Sequence, residues 1–176
     1  KFIRSRFLHR GMDVLDFGAA TGALVSQWRG DGLRADGFEY SASAREHCRS
    51  RLGIDLCGDI DAMPRSAYDF ISMIEVIEHL TDLRGTLRRL HAALRPGGVL
   101  FVTTPNRCGW RARLEGGNWR EARKKFHLFL SDEFSLRHHL AAGGFSSIRR
   151  VRWTPPLSPG LASQLFVRAT QLAALG

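Results

Sequence analysis

A short, mostly apolar run from Met12 to Phe17 meets Gly18, and small residues then stand at 18, 20 and 22. This junction constrains the chain more than any other feature. An apolar run closed by glycine reads as a buried strand, and small residues at alternate positions let the backbone turn sharply and approach a ligand closely. Helix-compatible sequence follows from Thr21 to Trp28. The turn therefore opens on the free N–H groups of a helix N-terminus, a favourable place for polar or anionic groups.

The strand-then-helix pattern continues along the chain. Leu33 to Tyr40 reads as a second strand, Ser41 as the cap of a helix over Ala42 to Leu52, and Ile54 to Cys57 as a short third strand. Tyr68 to Ile74 is a fourth. Leu83, Leu87, Leu90 and Leu94 recur at spacings that place them on one face of a helix, which stops at Arg95-Pro96-Gly97-Gly98. Val99 to Thr104 is the next strand, ended by Pro105-Asn106. The pattern then lapses for about twenty residues, a loop length that usually signals a lid or a disordered segment. It resumes with Ser131 as the expected cap of a helix over Asp132 to Ala142. Phe145 to Trp153 reads as a strand, Pro155, Pro156 and Pro159 as a loop, and Gln164 to Ala169 as the last strand, with a C-terminal helix as its competitor. Strands alternating with helices imply right-handed crossovers. The expected fold is α/β, Rossmann-like and doubly wound, with a mostly parallel seven-stranded sheet covered by helices on both faces.

The 176 residues suit one domain, 1–176, with residues 105–127 as an inserted segment. Because the chain starts at Lys1 without Met, its natural N-terminus is expected upstream. No run approaches the roughly 18 apolar residues of a membrane span, and 1–10 lacks a signal-peptide core. Three cysteines, Cys48, Cys57 and Cys108, show no CxxC pairing, which argues against a disulfide framework or zinc site and for a reducing, cytoplasmic setting. Net charge is +9, and the segment from Arg107 to Lys125 holds seven basic residues against Glu115 and Glu121. That local excess of +5 favours an anionic partner: a charged small substrate, an acidic carrier, RNA or a membrane surface.

In doubly wound sheets ligands sit beyond the carboxyl ends of the strands. Glu39 lies at the second strand's exit, 23 residues after Asp16, where a carboxylate can take both hydroxyls of a ribose. A nicotinamide-cofactor fingerprint needs three glycines, and Ala20 and Ala23 occupy two of their places. Asp16-Phe17-Gly18-Ala19-Ala20-Thr21-Gly22 instead resembles motif I of class I S-adenosylmethionine-dependent methyltransferases, with Ala20 for the middle glycine. Tyr68 to Leu80 is similar to that family's fourth strand and its exit, and Leu94-Arg95-Pro96-Gly97-Gly98 to its turn into the fifth. Glu75-x-x-Glu78-His79, Thr103-Thr104-Pro105-Asn106, His127-Leu128-Phe129-Leu130-Ser131 and Ala142-Gly143-Gly144-Phe145 resemble the branch that includes the ubiquinone-biosynthesis O-methyltransferases.

The resemblance implies methyl transfer from S-adenosyl-L-methionine to a small acceptor, expected to be a hydroxyl of an anionic or carrier-linked molecule. It implies a cofactor set of Asp16, Gly18, Ala20, Gly22, Glu39, Tyr40, Asp59, Ile60, Ile74 and Glu75, with Glu39 on the ribose and Asp59-Ile60 at the adenine. His79 and His127 are the candidate bases, since imidazole suits proton removal near neutral pH, and no metal is expected. Trp110, Trp119 and Phe126 are candidate walls of a substrate pocket. Two other readings compete. Glu75, Glu78, His79 and His127 also resemble the metal-binding set of small-RNA 3′-terminal 2′-O-methyltransferases, and a non-catalytic binding protein with the same fold is the third possibility.

Overall fold

The computed structural model describes residues 2–151 and 164–170. Six strands form one sheet in the order β2-β1-β3-β4-β6-β5, with β1 at Asp13–Phe17, β2 at Arg34–Phe38, β3 at Tyr68–Ile74, β4 at Leu94–Pro105, β5 at Ser146–Arg150 and β6 at Gln164–Thr170. The first four are parallel to one another, and β6 runs antiparallel to both β4 and β5. Helices α1 (Phe2–Phe7), α2 (Ala23–Gly30), α3 (Ala42–Leu52), α4 (Leu83–Ala93), α5 (Trp110–Glu115) and α6 (Glu133–Ala142) complete the fold. No helix among the described residues is long and apolar enough to cross a membrane.

The central strands are apolar on alternate sides because each side is covered. Phe70 and Phe101 pack with Val25 and Trp28 of α2 and Cys48 of α3, while Ile71, Met73, Leu100 and Val102 pack with Leu87 and Leu90 of α4 and Leu136 and Leu140 of α6. Phe7 of α1 stacks on Phe70, ring centroids 6.1 Å apart. The chain winds outward from β1 to β2, then returns to the other side of β1 as β3. The carboxyl ends of β1 and β3 therefore border the crevice that this topology reserves for ligands.

Several local expectations are corrected. Among the described residues the sheet has six strands, not seven: the segment expected as the third strand makes one bridge, Phe38↔Cys57. Cys57 exchanges bonds with Gly37 and Glu39, but β2 has already ended at Phe38 and turns towards α3, so pairing goes no further. The helix after β1 begins at Ala23, because Ala20 and Gly22 take positive φ to make the turn. Asp132, not Ser131, caps α6: its carboxylate accepts from Ser135 N at 2.8 Å while Ser135 Oγ accepts from Asp132 N, a reciprocal capping box. Ser131 is instead bridged to Asn106 and buried. The Arg95–Gly98 turn is drawn into β4 as an irregularity, where these four residues of β4 stand against the single Asp69 of β3. Ser41 does cap α3, and Gln164 onward is strand, not helix. The end of the strand expected over Phe145 to Trp153, and the proline loop at Pro155, Pro156 and Pro159, lie outside the described residues.

The pattern lapse after Asn106 contains α5 and two short 3-10 turns, 116–118 and 120–123. Its far end is fastened to the β3 exit. Leu128 N donates to Glu78 O at 2.9 Å, and Arg107 binds Asp132 across the base of the segment. The three cysteines are free.

Candidate nucleoside cleft at the strand exits

At the end of β1 the backbone N–H groups of Gly18 and Ala19 both donate to Phe38 O, which ties the glycine turn to the exit of β2. Gly18 has φ +85°, and a Cβ there would fall 2.3 Å from Val76 Cγ2. Only glycine satisfies both conditions. Ala20 also adopts a positive φ, +48°, a conformation that costs a non-glycine residue about 1 kcal/mol or more. The Glu39 carboxylate holds it there: Oε2 accepts from Ala20 N and Oε1 from Ser41 N, each at 2.9 Å. Glu39 is thus fixed by two N–H donors from two elements, and its remaining lone pairs are available to a ligand.

These residues border a cleft of about 660 Å³, within the usual range for small-molecule sites. Gly18, Ala20, Glu39, Tyr40, Ile74, Glu75 and His79, all expected from the sequence, line it. Tyr40 stands on edge over Phe38, ring centroids 4.7 Å apart. Asp16 lies beneath the turn, buried, with its carboxylate accepting from Ser72 Oγ at 2.6 Å. Desolvation raises its pKa to about 6, against the opposing Ser72 bond. Gly22, Asp59, Ile60 and His127 do not line the cleft. Gly22 backs onto Cys48, and Asp59 caps a 3-10 turn through Asp61 N.

Glu75, at the exit of β3, also has positive φ, +55°. Thr103 holds it, accepting from Glu75 N and donating from Oγ1 to Oε1 at 2.9 Å. Burial and the neighbouring Glu78 raise its pKa to about 7. Glu78 is almost fully buried. Its Oε2 accepts from Thr104 Oγ1, while Oε1 has no hydrogen-bond partner and faces His127 Nε2 at 4.0 Å.

The inserted segment supplies the other half of this cluster. His79 Nδ1 is 2.9 Å from Phe126 O and His127 Nδ1 is 3.0 Å from Glu121 O. A carbonyl only accepts, so both rings donate from Nδ1, which leaves Nε2 as the position for the lone pair in the neutral tautomer. The rings are 4.8 Å apart. The His127 side chain is only 3% exposed, and burial, with Lys124 and His79 nearby, lowers its pKa. Glu121 Oε2 meets Lys124 Nζ at 2.5 Å. The structure thus gathers Glu78, His79 and His127 with ligand-type atoms all within 4.8 Å of one another.

Sequence reasoning missed Ser72, Thr103, Thr104 and Glu121. The first three are polar residues inside otherwise apolar strands, a signal that was legible. Glu121 carried none, because its burial depends on how the insertion folds back. Thr81, Asp82 and Thr86 at the start of α4 also line the cleft. The three aromatic candidates do not: Trp119 is buried, whereas Trp110 and Phe126 are more than half exposed.

The family model described as a methyltransferase domain matches residues 2–149. Among curated proteins, the ubiquinone biosynthesis O-methyltransferase of Bradyrhizobium sp. (strain ORS 278) is 36% identical over 109 residues, covering 58% of this chain and 43% of that protein. The chain therefore spans less than half the length of that relative. Among solved structures, the YcgJ protein from Bacillus subtilis superposes with a TM-score of 0.76 at 12% identity, covering 97% of this chain and 96% of that one. Haemonchus contortus phosphoethanolamine N-methyltransferase 2, solved in complex with S-adenosyl-L-methionine, gives 0.71 at 16% identity, covering 97% and 51%. These likenesses show a shared fold, and the family match extends over nearly the whole described chain. The chain belongs to the methyltransferase domain family.

Proposed function

We propose that the protein is an S-adenosyl-L-methionine-dependent methyltransferase that methylates a small acceptor, at a hydroxyl oxygen of an anionic or carrier-linked molecule, in a reducing, cytoplasmic setting. The observation that carries this reading is Glu39, a carboxylate fixed by Ala20 N and Ser41 N at the rim of the switch-point cleft. When bound, the cofactor supplies an electrophilic methyl group on a sulfonium. Glu39 binds the ribose hydroxyls, the Gly18–Gly22 turn accommodates the backbone's approach, and Asp16 stiffens that turn from below. Tyr40 and Ile74 offer apolar contact in the cleft, Asp59 and Ile60 flank the adenine end, and Glu75 borders the methionine end. Much of the rate in such a transfer comes from holding donor and acceptor in line at near-contact distance. His79, whose Nδ1–H is committed to Phe126 O, presents Nε2 to take the acceptor's proton as the oxygen–carbon bond forms. His127, the second candidate, stands behind it.

Calorimetric titration with S-adenosylhomocysteine tests the reading, with NAD as the control. Stoichiometric binding of the first and none of the second is expected. Failure to bind S-adenosylhomocysteine overturns the assignment in favour of a non-catalytic member of the family.

The basic insertion gives a second expectation. Arg111, Arg120 and Lys124 are paired with Glu115 or Glu121, whereas Arg113, Arg123 and Lys125 are exposed and outside the ion pairs among the described residues. Changing these three to Gln should raise KM for an anionic acceptor about tenfold at low salt, with kcat unchanged, and the difference should shrink as ionic strength rises. Steady-state kinetics with a neutral acceptor as control checks it. An unchanged KM removes the lid from substrate selection.

One observation favours a second reading, metal-assisted transfer to the terminal ribose of an RNA. Glu78 Oε1 is buried without a hydrogen-bond partner beside two imidazoles whose Nδ1–H groups donate to backbone carbonyls, the arrangement usual for metal-ligating histidines. The donor set of one carboxylate and two imidazoles fits a divalent ion such as Mn or Fe, although the nearby Lys124 ammonium already supplies positive charge. Glu78, His79 and His127 would hold the ion, which would supply Lewis acidity. If this reading holds, Mn²⁺ should raise the melting temperature of the protein by several degrees and not that of Glu78→Gln. Equal melting curves with Mn²⁺ and with chelator decide for the metal-free reading.

A further inference from the structure

Arg45, near the N-terminus of α3, joins the two loops on which the nucleoside half of the cleft depends. Its Nη1 donates to the carbonyl oxygens of Glu39 and Tyr40, each at 2.8 Å. Among the described residues no carboxylate pairs with it. A cation so close to a helix N-terminus opposes the helix dipole, so α3 gains little from its charge. The same guanidinium occupies the space above Gly58, where a Cβ would fall 2.4 Å from Arg45 Cζ and 2.6 Å from Nη1. Gly58 does not adopt a left-handed φ, so its backbone would tolerate alanine. What excludes a side chain there is Arg45.

Gly58 follows Cys57, which is bridged to β2 by Cys57 N to Gly37 O and Glu39 N to Cys57 O, each at 2.9 Å. It precedes Asp59 and Ile60. One guanidinium is therefore lodged between the strand exit that carries Glu39 and Tyr40 and the loop that carries Asp59 and Ile60. Tertiary packing made this contact, since Arg45 and Gly58 stand 13 positions apart in the chain.

We infer that Arg45 is a positioning residue for the cofactor: by bonding to the Glu39 and Tyr40 carbonyls and resting on Gly58, it sets the spacing between the ribose-binding carboxylate and the adenine-side loop. This rests on the cofactor reading above. It acts through the backbone of other residues, not by touching the nucleoside.

A double-mutant cycle tests it, with the affinity for S-adenosylhomocysteine measured by calorimetry and the melting temperature of every protein recorded. Arg45→Ala removes the wedge. Gly58→Ala keeps the arginine but displaces its guanidinium, leaving the helix, the charge and the melting temperature as in the wild type. Each change is expected to weaken binding about tenfold, roughly the loss of one hydrogen bond to a charged group. The double variant should bind no more weakly than either single variant, because both changes remove the same contact. A side chain serving only stability would lower melting temperature without this coupling. Gly58→Ala binding as wild type, or losses that multiply in the double variant, overturn the positioning role. If Arg45→Ala does not fold, Gly58→Ala alone decides. Glu39→Ala separates the two levels of the argument: loss of binding there with Arg45→Ala and Gly58→Ala unaffected overturns this inference and leaves the cofactor reading standing. A wild type that binds no S-adenosylhomocysteine overturns both.

Discussion

Glu39→Ala is expected to weaken S-adenosylhomocysteine binding at least about 100-fold, to below calorimetric detection, while the protein remains folded. The magnitude follows from what the carboxylate does twice over. It is the acceptor for Ala20 N and Ser41 N, and removing a charged acceptor from a hydrogen bond costs about 1.5–3 kcal/mol. It also keeps Ala20 at φ +48°, so without it the turn relaxes away from the ligand-binding conformation. Loss of the ribose contacts adds to this, and a combined change of about 3 kcal/mol corresponds to roughly two orders of magnitude in affinity. Glu39 lies at the rim of the cleft, outside both hydrophobic cores, so thermal unfolding should remain cooperative. Glu39→Gln should lose less, because an amide retains one acceptor oxygen. If Glu39→Ala binds within about threefold of the wild type, the ribose assignment is wrong and the cleft serves another ligand.

The second large effect is a pH dependence of folding that belongs to Asp16. Its carboxyl is raised from the ordinary carboxylate range to about 6, chiefly by desolvation, with the Ser72 hydroxyl opposing and the Glu39 charge adding to the rise. A folded-state pKa above the unfolded value means that the native protein holds the proton longer than the unfolded chain. Stability from this group is therefore complete below pH 4 and is lost as pH rises to about 6. The expected loss is about 3 kcal/mol, at 1.36 kcal/mol per pKa unit. Asp16→Asn has no proton to release, and its amide oxygen can still accept from Ser72 Oγ. Relative to wild type, the variant should thus gain about 2–3 kcal/mol between pH 4 and pH 7.5 in denaturant unfolding of the ligand-free protein. Parallel stability curves for the two proteins across that range would mean that Asp16 titrates normally and is more hydrated than its burial implies.

Both effects arise at positions whose place in the fold is visible in the sequence. An apolar run closed by Gly18, an acid at the next strand end and a capped helix after it are local signals. Local propensity and the two-residue period of the strands suffice to make them. The leucine face of α4 and the strand from Val99 were legible for the same reason. Where the reading failed, two local signals competed or a short segment depended on its neighbours. Ser131 and Asp132 are both good caps, and only Ser135, three residues past Asp132, decides between them through its reciprocal bond. Ile54 to Cys57 is apolar enough for a strand, but the early turn of β2 leaves it a single bridge.

The sequence by itself determined the order of the principal strands and helices, the mostly parallel sheet and the switch-point cleft, because each follows from short-range periodicity and turn chemistry; the motif resemblance, not periodicity, implied most of the residues that line the cleft. The tertiary structure alone decided what the insertion does. Glu121 and His127 reach Glu78 and His79 because Leu128 pairs with Glu78 and Phe126 receives the His79 N–H. Arg45 meets Gly58 only because Cys57 is bridged to β2. These contacts join residues far apart in the chain, and neither periodicity nor propensity encodes them. They form when the hydrophobic cores bring the strand exits to one edge of the sheet, and burial there raises the carboxyl pKa values of Asp16, Glu75 and Glu78.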